Sequence, residues 1–289
     1  MVTGSTAISQ LPTGTIDSLL AVLPLSIGMP SSPSTIRSSL ETLRDYLLPP
    51  EYIDGLNISY VTSGSISVSP GTAYISSLNK AIHVTGSITA AVANAGANVS
   101  GTWSHVYLRE NAGAAAVEIS TGTPSTPYAG VARTKTGDTS RRWIGSVFHD
   151  AGGYLFRFAS NIYGNVFRMN WIVVDNGSFF EYTGISGSTV TRDISHLIPL
   201  AGATNEIHIR PIFILGAGGD MLGAVGETVL FGGNTTPEQY LRQTTATAAN
   251  LSLPASPIKI SGSTIQAMTS HFAGGGSMSL RVRGISIQR

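Results

Sequence analysis

Beyond residue 50, apolar and polar residues alternate along much of the chain. The clearest stretches have large side chains at every second position: Ile66 and Val68; Trp103, His105 and Tyr107; Tyr154, Phe156 and Phe158. A period of two predicts strands that lay one face on a core. Turn-forming residues separate these strands at positions 70–71, 111–113 and 150–153. We therefore predict a β-sandwich domain over residues 51–162.

The last third of the chain, residues 163–289, continues this pattern. Seven segments have strand-like composition: 166–174, 178–182, 205–215, 227–231, 257–260, 264–268 and 277–288. Seven or eight antiparallel strands of this kind predict a jelly roll. With the preceding sandwich, the whole chain is expected to be mainly β.

Two of these segments carry more detail. In the last one, Met278, Leu280 and Val282 share one face, whereas Ile285 and Ile287 have the opposite phase. The intervening glycine, at position 284, predicts a β-bulge. Residues 212–215 are apolar at every position, so both faces of that strand need cover. In a trimer, a neighbouring subunit would cover the second face.

Residues 34–50 have a different period and predict a helix. Their apolar residues are spaced by four, three and four: Ile36, Leu40, Leu43 and Leu47. This spacing forms the a/d seam of a coiled coil, and Pro49-Pro50 would end the helix. We predict a short trimerising helix. An amphipathic helix that packs on its own domain is the alternative.

Residues 1–33 are rich in Thr, Ser, Gly and Pro, with short apolar pieces between them. Such a segment cannot bury enough surface to fold alone, so we predict an extended region that orders against a partner. A disordered leader is the alternative. The apolar positions available for docking are Ile8, Leu11, Pro12, Leu23, Leu25 and Ile27.

The composition describes an unusual surface. Only 11% of the 289 residues are charged, while 33 are glycine and 42% are apolar. Ser, Thr and Asn must cover the surface, which suits an exposed β protein better than a metabolic enzyme. A generic all-β domain is the alternative interpretation of this composition. A net charge of +1 provides no field for nucleic acid, and the absence of Cys removes disulfides and thiolate ligands. We recognise no signal peptide or membrane anchor.

Three blocks in the middle of the chain carry a family resemblance. They begin at Trp103-Ser104-His105, at Pro127-Tyr128-Ala129 and at Arg142-Trp143-Ile144. Over about 100 residues their order resembles a shaft or shoulder domain of bacteriophage fibre proteins. The Ile8-Ser9-Gln10-Leu11-Pro12 stretch is similar to the virion-anchoring peptide of phage tail and head fibres. The resemblance implies a homotrimer with a jelly-roll tip arranged like tumour necrosis factor.

Candidate chemistry is scarce. No pair of carboxylates has the setting of a glycosidase, and the Gly-x-Ser-x-Gly nucleophile pattern is absent. The six histidines are scattered, with no pair at metal-ligand spacing. Glycine patterns for nucleotide binding are also missing. We therefore predict no enzymatic activity, no metal site and no cofactor.

Recognition of a host surface would need exposed aromatics beside amides or hydroxyls. We take Tyr182, Phe231, Asn234 and Tyr240 as candidates, the last three in a long loop predicted over 231–250. Packing or linkage is the alternative role of this loop.

Taken together, the resemblance implies a structural fibre protein of a phage virion, such as a tail fibre that binds a host receptor. It would be made in the host cytoplasm and reside on the virion exterior. Its partners would be itself, other tail or capsid proteins through residues 1–33, and a host glycan or protein, without nucleic acid or membrane insertion. The alternatives are a purely structural fibre or capsid decoration protein and a polysaccharide-depolymerising tailspike.

Overall fold

Strands form nearly all of the regular structure in this computed structural model. The structure describes residues 23–27, 34–38, 48–92, 101–150, 152–172, 181–185, 190–200, 204–215, 220–226, 239–244, 249–252, 255–260, 264–273 and 276–289. Within them, the helical elements are two three-residue 3-10 turns, Ser76–Leu78 and Ser195–Leu197. The mainly β fold predicted from the sequence is confirmed. Contacts divide the chain into two compact units, Met1–Leu48 and Pro49–Arg289.

The first unit contains an antiparallel hairpin of β1 (Leu23–Ile27) and β2 (Ser34–Ser38). Leu25 pairs with Ile36 at the middle of this hairpin. Each strand supplies backbone hydrogen-bond partners to the other.

The helix predicted over residues 34–50 is therefore wrong over its first five residues. Thr35 and Ile36 are β-branched and favour an extended backbone. Pairing with β1 also satisfies backbone N–H groups that the first turn of a helix would leave without partners. Leu40, Leu43 and Leu47 lie outside the described residues, so the rest of the trimer seam stays a prediction.

Ten strands occupy the first part of the second unit. They are β3 (Ile53–Gly55), β4 (Ile58–Thr62), β5 (Ser65–Val68), β6 (Gly71–Ile75), β7 (Lys80–Val84), β8 (Ile88–Ala91), β9 (Trp103–Asn111), β10 (Ala114–Ser120), β11 (Thr134–Lys135) and β12 (Asp138–Phe148). They form three antiparallel sheets of order β3-β6-β7, β4-β5-β8 and β10-β9-β12-β11. The tight turn between β9 and β10 has positive φ at both Ala112 and Gly113, as the twist of a hairpin favours.

Eleven strands follow in the second part. They are β13 (Phe158–Tyr163), β14 (Val166–Trp171), β15 (Glu181–Ile185), β16 (Val190–Asp193), β17 (Thr204–Leu215), β18 (Asp220–Gly226), β19 (Gln239–Thr244), β20 (Ala249–Ser252), β21 (Ser256–Lys259), β22 (Thr264–Ala273) and β23 (Gly276–Gln288). A seven-stranded sheet has the order β13-β14-β23-β17-β20, with β15 also paired to β23 and β21 to β17. A second sheet has the order β16-β22-β18-β19.

One hydrophobic core joins the two parts of this unit. Its cluster of buried side chains includes Ile58 and Trp143 from the first part and Phe167 and Ile287 from the second. A hydrogen bond also joins the two parts: the Trp103 indole Nε1 donates to the carbonyl oxygen of His196 at 3.0 Å. The strands of residues 49–289 are therefore packed as one body, while the domain division predicted at 162 and 163 stays a prediction.

The β-bulge predicted at Gly284 is confirmed. In the pairing of β17 with β23, His208 lies opposite Gly284 and Ile209 opposite Val282, so Arg283 is an extra residue. The bulge returns Ile285 and Ile287 to the buried face that Val282 also occupies.

Candidate functional site

The proposed docking positions in the first unit are only partly described. Leu23, Leu25 and Ile27 lie in β1, at positions that pair with β2. Ile8, Leu11 and Pro12 lie outside the described residues. Attachment to a virion through these positions stays a prediction.

The four candidate receptor-binding residues do not lie in one loop. Phe231 and Asn234 are outside the described residues. Tyr182 is in β15 at a position opposite Leu280, and Tyr240 is in β19 opposite Ala224. The prediction of a continuous loop over 231–250 is therefore wrong at Tyr240, because residues 239–244 pair with the glycine-containing strand β18.

Two buried serine–histidine pairs lie where β9 and β12 run side by side. The His149 Nδ1 donates to the carbonyl oxygen of Gly153, which leaves Nε2 to accept from the Ser104 hydroxyl at 2.8 Å. His105 Nδ1 lies 2.8 Å from the Ser146 oxygen. These side chains are buried, so no substrate reaches either hydroxyl and both pairs act as hydrogen-bonded core groups.

The described residues contain no group of three or more His, Asp or Glu arranged to hold a metal ion. No helix in the described part of the chain has the length and hydropathy needed to cross a membrane.

The most distinctive surface is one side of the seven-stranded sheet, which we call the outer face. Along β17, the alternate residues Ile207 and Ile209 are buried in the core, so Glu206, Arg210, Ile212 and Ile214 project to the other side. The same alternation places Arg168 and Asn170 of β14 and Ser286 of β23 on this face. The outer face thus combines a polar end with an apolar end.

The polar end is a hydrogen-bonded cluster around His208. Its Nδ1 donates to the Asn170 Oδ1 at 3.0 Å, and its Nε2 accepts from the Arg168 Nε at 3.3 Å. The Ser286 hydroxyl, 3.0 Å from the same Nε2, donates to Glu206. Burial, followed by the positive charge of Arg168, lowers the pKa of His208 to about 4. The ring is therefore neutral at physiological pH.

The apolar end begins four residues beyond His208 along β17, at Ile212. Ile212 is half-buried and Ile214 is 43% exposed, one of the few large apolar side chains that the described residues leave exposed. Between the polar and apolar ends, Arg210 of β17 lies opposite Arg281 of β23 in the strand register. A single exposed isoleucine on a protein surface is common. Ile212 and Ile214, however, continue a face of the sheet on which His208, Ser279 and Ser286 are buried.

Four basic residues lie close together in the middle of the sequence, at positions 133, 135, 141 and 142, and their side chains are already engaged within the chain. Arg142 is buried and donates to the carbonyl oxygen of Arg133, and Trp143 is also buried. Lys135 and Arg141 both pair with Glu118, at 2.6 Å for the lysine. The charges of these four residues are thus either buried against carbonyl groups or neutralised.

Comparisons with known proteins add little to this description. No protein-family model matches the chain, and no curated protein matches it. Among solved structures, it is similar to a tryptic core variant of the Cry1Da protein of Bacillus thuringiensis, with 11% identity and a TM-score of 0.20. The match covers 84% of this chain and 52% of the Cry1Da chain, so this chain spans about half the length of the Cry1Da chain. A TM-score this low carries no argument about fold or function.

Proposed function

We propose that the chain is the subunit of a homotrimeric bacteriophage fibre, attached to the virion by residues 1–33 and without enzymatic activity. Contact between three outer faces would hold the trimer together. The observation that carries the proposal is that Ile212 and Ile214, near the end of β17, are directed away from the core.

Burial of these isoleucines explains why three chains would associate. A fully buried Ile contributes about 1.5–3 kcal/mol relative to an exposed one. A symmetric oligomer repeats each contact in every subunit, so even a small apolar patch contributes several times. The polar cluster around His208 would help to define the register, since its hydrogen bonds hold Arg168 and Asn170 in fixed positions.

The strand order supports a jelly-roll tip. When β20 and β21 are treated as one interrupted strand and the side strand β15 is set apart, the eight strands from β14 to β23 divide into two sheets of order 1-8-3-6 and 2-7-4-5. This order corresponds to a sheet rolled from two Greek keys. A jelly roll is also what the resemblance implies for the tip.

The sequence resemblance supports the virion location, and residues 49–289 would then point outward toward a host surface. A purely structural fibre or decoration protein, with receptor binding in another chain, is the second candidate. The low content of charged residues favours an exposed virion protein in both cases.

Immunogold labelling of intact particles tests the location directly. An antiserum against the full chain is expected to label thin projections on particles of the phage that encodes it. Labelling only after the capsid is opened, or no labelling of particles that contain the chain by mass spectrometry, would exclude an external fibre.

A further inference from the structure

A small pocket of about 190 Å³ opens on the first part of the second unit. Its lining residues are Ser76, Ser77, Tyr128, Thr134 and Thr139. All five carry a hydroxyl group, and none carries a charge at neutral pH. Drug-sized ligands occupy pockets of about 300–1,000 Å³, so this one suits a smaller molecule.

The aromatic wall of the pocket is held in place before any ligand arrives. The Tyr128 hydroxyl donates to the carbonyl oxygen of Pro50 at 3.0 Å. The Arg142 guanidinium lies 5.8 Å from the centre of the Tyr128 ring, and it is fixed in turn by the carbonyl oxygen of Arg133. A ring fixed in this way loses little conformational entropy when a ligand packs against it.

The hydroxyl-bearing walls are also fixed relative to each other. The Ser77 hydroxyl donates to the carbonyl oxygen of Thr139 at 2.6 Å, which joins the 3-10 turn to the start of β12. The Ser77 oxygen retains lone pairs that can accept a further hydrogen bond. The side chains of Ser76 and Thr139 are exposed at the rim, where a ligand can reach both hydroxyl groups.

We infer that this pocket binds one neutral sugar ring, which packs on Tyr128 and hydrogen-bonds to the hydroxyls of Ser76, Ser77 and Thr139. A sugar presents an apolar face of C–H groups and a rim of hydroxyls, and the pocket offers one aromatic ring surrounded by hydroxyls. Several donors and acceptors on rotatable hydroxyls match this chemistry better than they match an apolar ligand.

The charges near the pocket argue against an ionic ligand. Asp138, next to Thr139, is already bonded to Ser140 and Arg141. Arg142 lies against the Tyr128 ring and is buried, and the nearby Lys135 is paired with Glu118. With neither a carboxylate nor a cation lining the cavity, acidic sugars and amino sugars with a free ammonium gain no partner.

Saturation-transfer NMR and calorimetry on the full chain test the inference. The probes are glucose, galactose, mannose, rhamnose and N-acetylglucosamine, with glucuronate as the acidic comparison. At least one neutral sugar is expected to bind with a Kd on the order of 1 mM, a binding free energy of about −4 kcal/mol. Absence of saturation transfer from all five, or equal binding of glucuronate, would overturn the inference.

Rim variants place the binding in the pocket. Ser76→Tyr should fill the pocket, and Thr139→Val should remove one of its hydroxyl groups. Each variant should bind the sugar at least about tenfold more weakly, a loss of about 1.4 kcal/mol. Ser87→Tyr, the same change at an exposed serine that does not line the cavity, should bind like the wild type. Wild-type affinity in Ser76→Tyr would contradict the assignment.

The role of the sugar as a host receptor rests on the proposed function, but its binding to the pocket does not. The pocket lies within one chain, so Ser76→Tyr should leave the molar mass of the assembly unchanged. A trimer without sugar binding refutes the pocket alone, and sugar binding by a monomer refutes the fibre alone.

Discussion

The side chain of Arg289 donates through Nη1 to the carbonyl oxygen of Leu56 at 2.9 Å, across 233 positions of the chain. A second bond joins its Nη2 to the carbonyl oxygen of Gly55 at 2.6 Å. Burial, followed by the charge of Arg142, lowers the pKa of Arg289 to about 9. The end of the sequence is thus bonded to the first strand of the second unit.

Arg289→Met is therefore expected to lower the free energy of unfolding by about 1–3 kcal/mol. The substitution keeps much of the volume but removes the hydrogen bonds that Arg289 donates to the carbonyl oxygens of Gly55, Leu56 and Ile144. Urea unfolding followed by tryptophan fluorescence measures the change. Arg157→Met, at an exposed arginine, is the control, and equal midpoints for both variants would contradict the role of Arg289.

Gly284→Ala is expected to destabilise the fold by about 1–3 kcal/mol through overpacking. A β-carbon at position 284 would overlap the backbone carbonyl oxygen of Met169 and lie 2.9 Å from the Asn170 Oδ1. Strand β14 would have to move away from β23. Gly86→Ala is the matched control, because a β-carbon there meets nothing within 4 Å. Thermal unfolding midpoints that fall equally for both variants would refute this explanation.

Stability should decrease as the pH falls from about 6.5 to about 4. Burial lowers the pKa of both His105 and His208 to about 4 from an ordinary value of 6.5. Between these values the unfolded chain binds protons that the folded chain does not. The free energy of unfolding therefore decreases as the pH is lowered through this interval. Urea midpoints at pH 7, 6, 5 and 4.5 measure the slope.

The variant His208→Gln should make this slope shallower, whereas His196→Gln, at an exposed histidine, should not. A wild-type stability that is constant over the interval would show that these rings are not held neutral.

Ile214→Asp is expected to dissociate the proposed trimer, because a carboxylate would have to be buried where an isoleucine packs. Val61→Asp is the control, since Val61 is 48% exposed in β4, compared with 43% for Ile214 in β17. Size-exclusion chromatography at matched concentrations should give a later elution volume for Ile214→Asp alone. The same elution volume for both variants and the wild type would exclude the outer face as the contact.

The strand pattern could be predicted where local alternation decides the structure. The phase change around Gly284 was sufficient to predict the bulge, and the composition of residues 205–215 was sufficient to predict strand β17. Prediction failed where pairing with a second strand overrides the periodicity within a segment. The spacing from Ile36 matched a helix, but pairing with β1 makes its segment a strand.

The environment of charged side chains was the least predictable feature. Nothing local to Arg142 or Arg289 shows that they are buried against carbonyl groups of residues distant in sequence. The pocket at Tyr128 was missed for the same reason, because its five lining residues come from separate segments of the chain.

Multi-angle light scattering of the full-length wild-type chain tests the central claim most directly. At micromolar concentration, the proposed fibre subunit should have a molar mass three times the 30.1 kDa of one chain, unchanged on dilution over tenfold. A mass of 30.1 kDa throughout this range would contradict it.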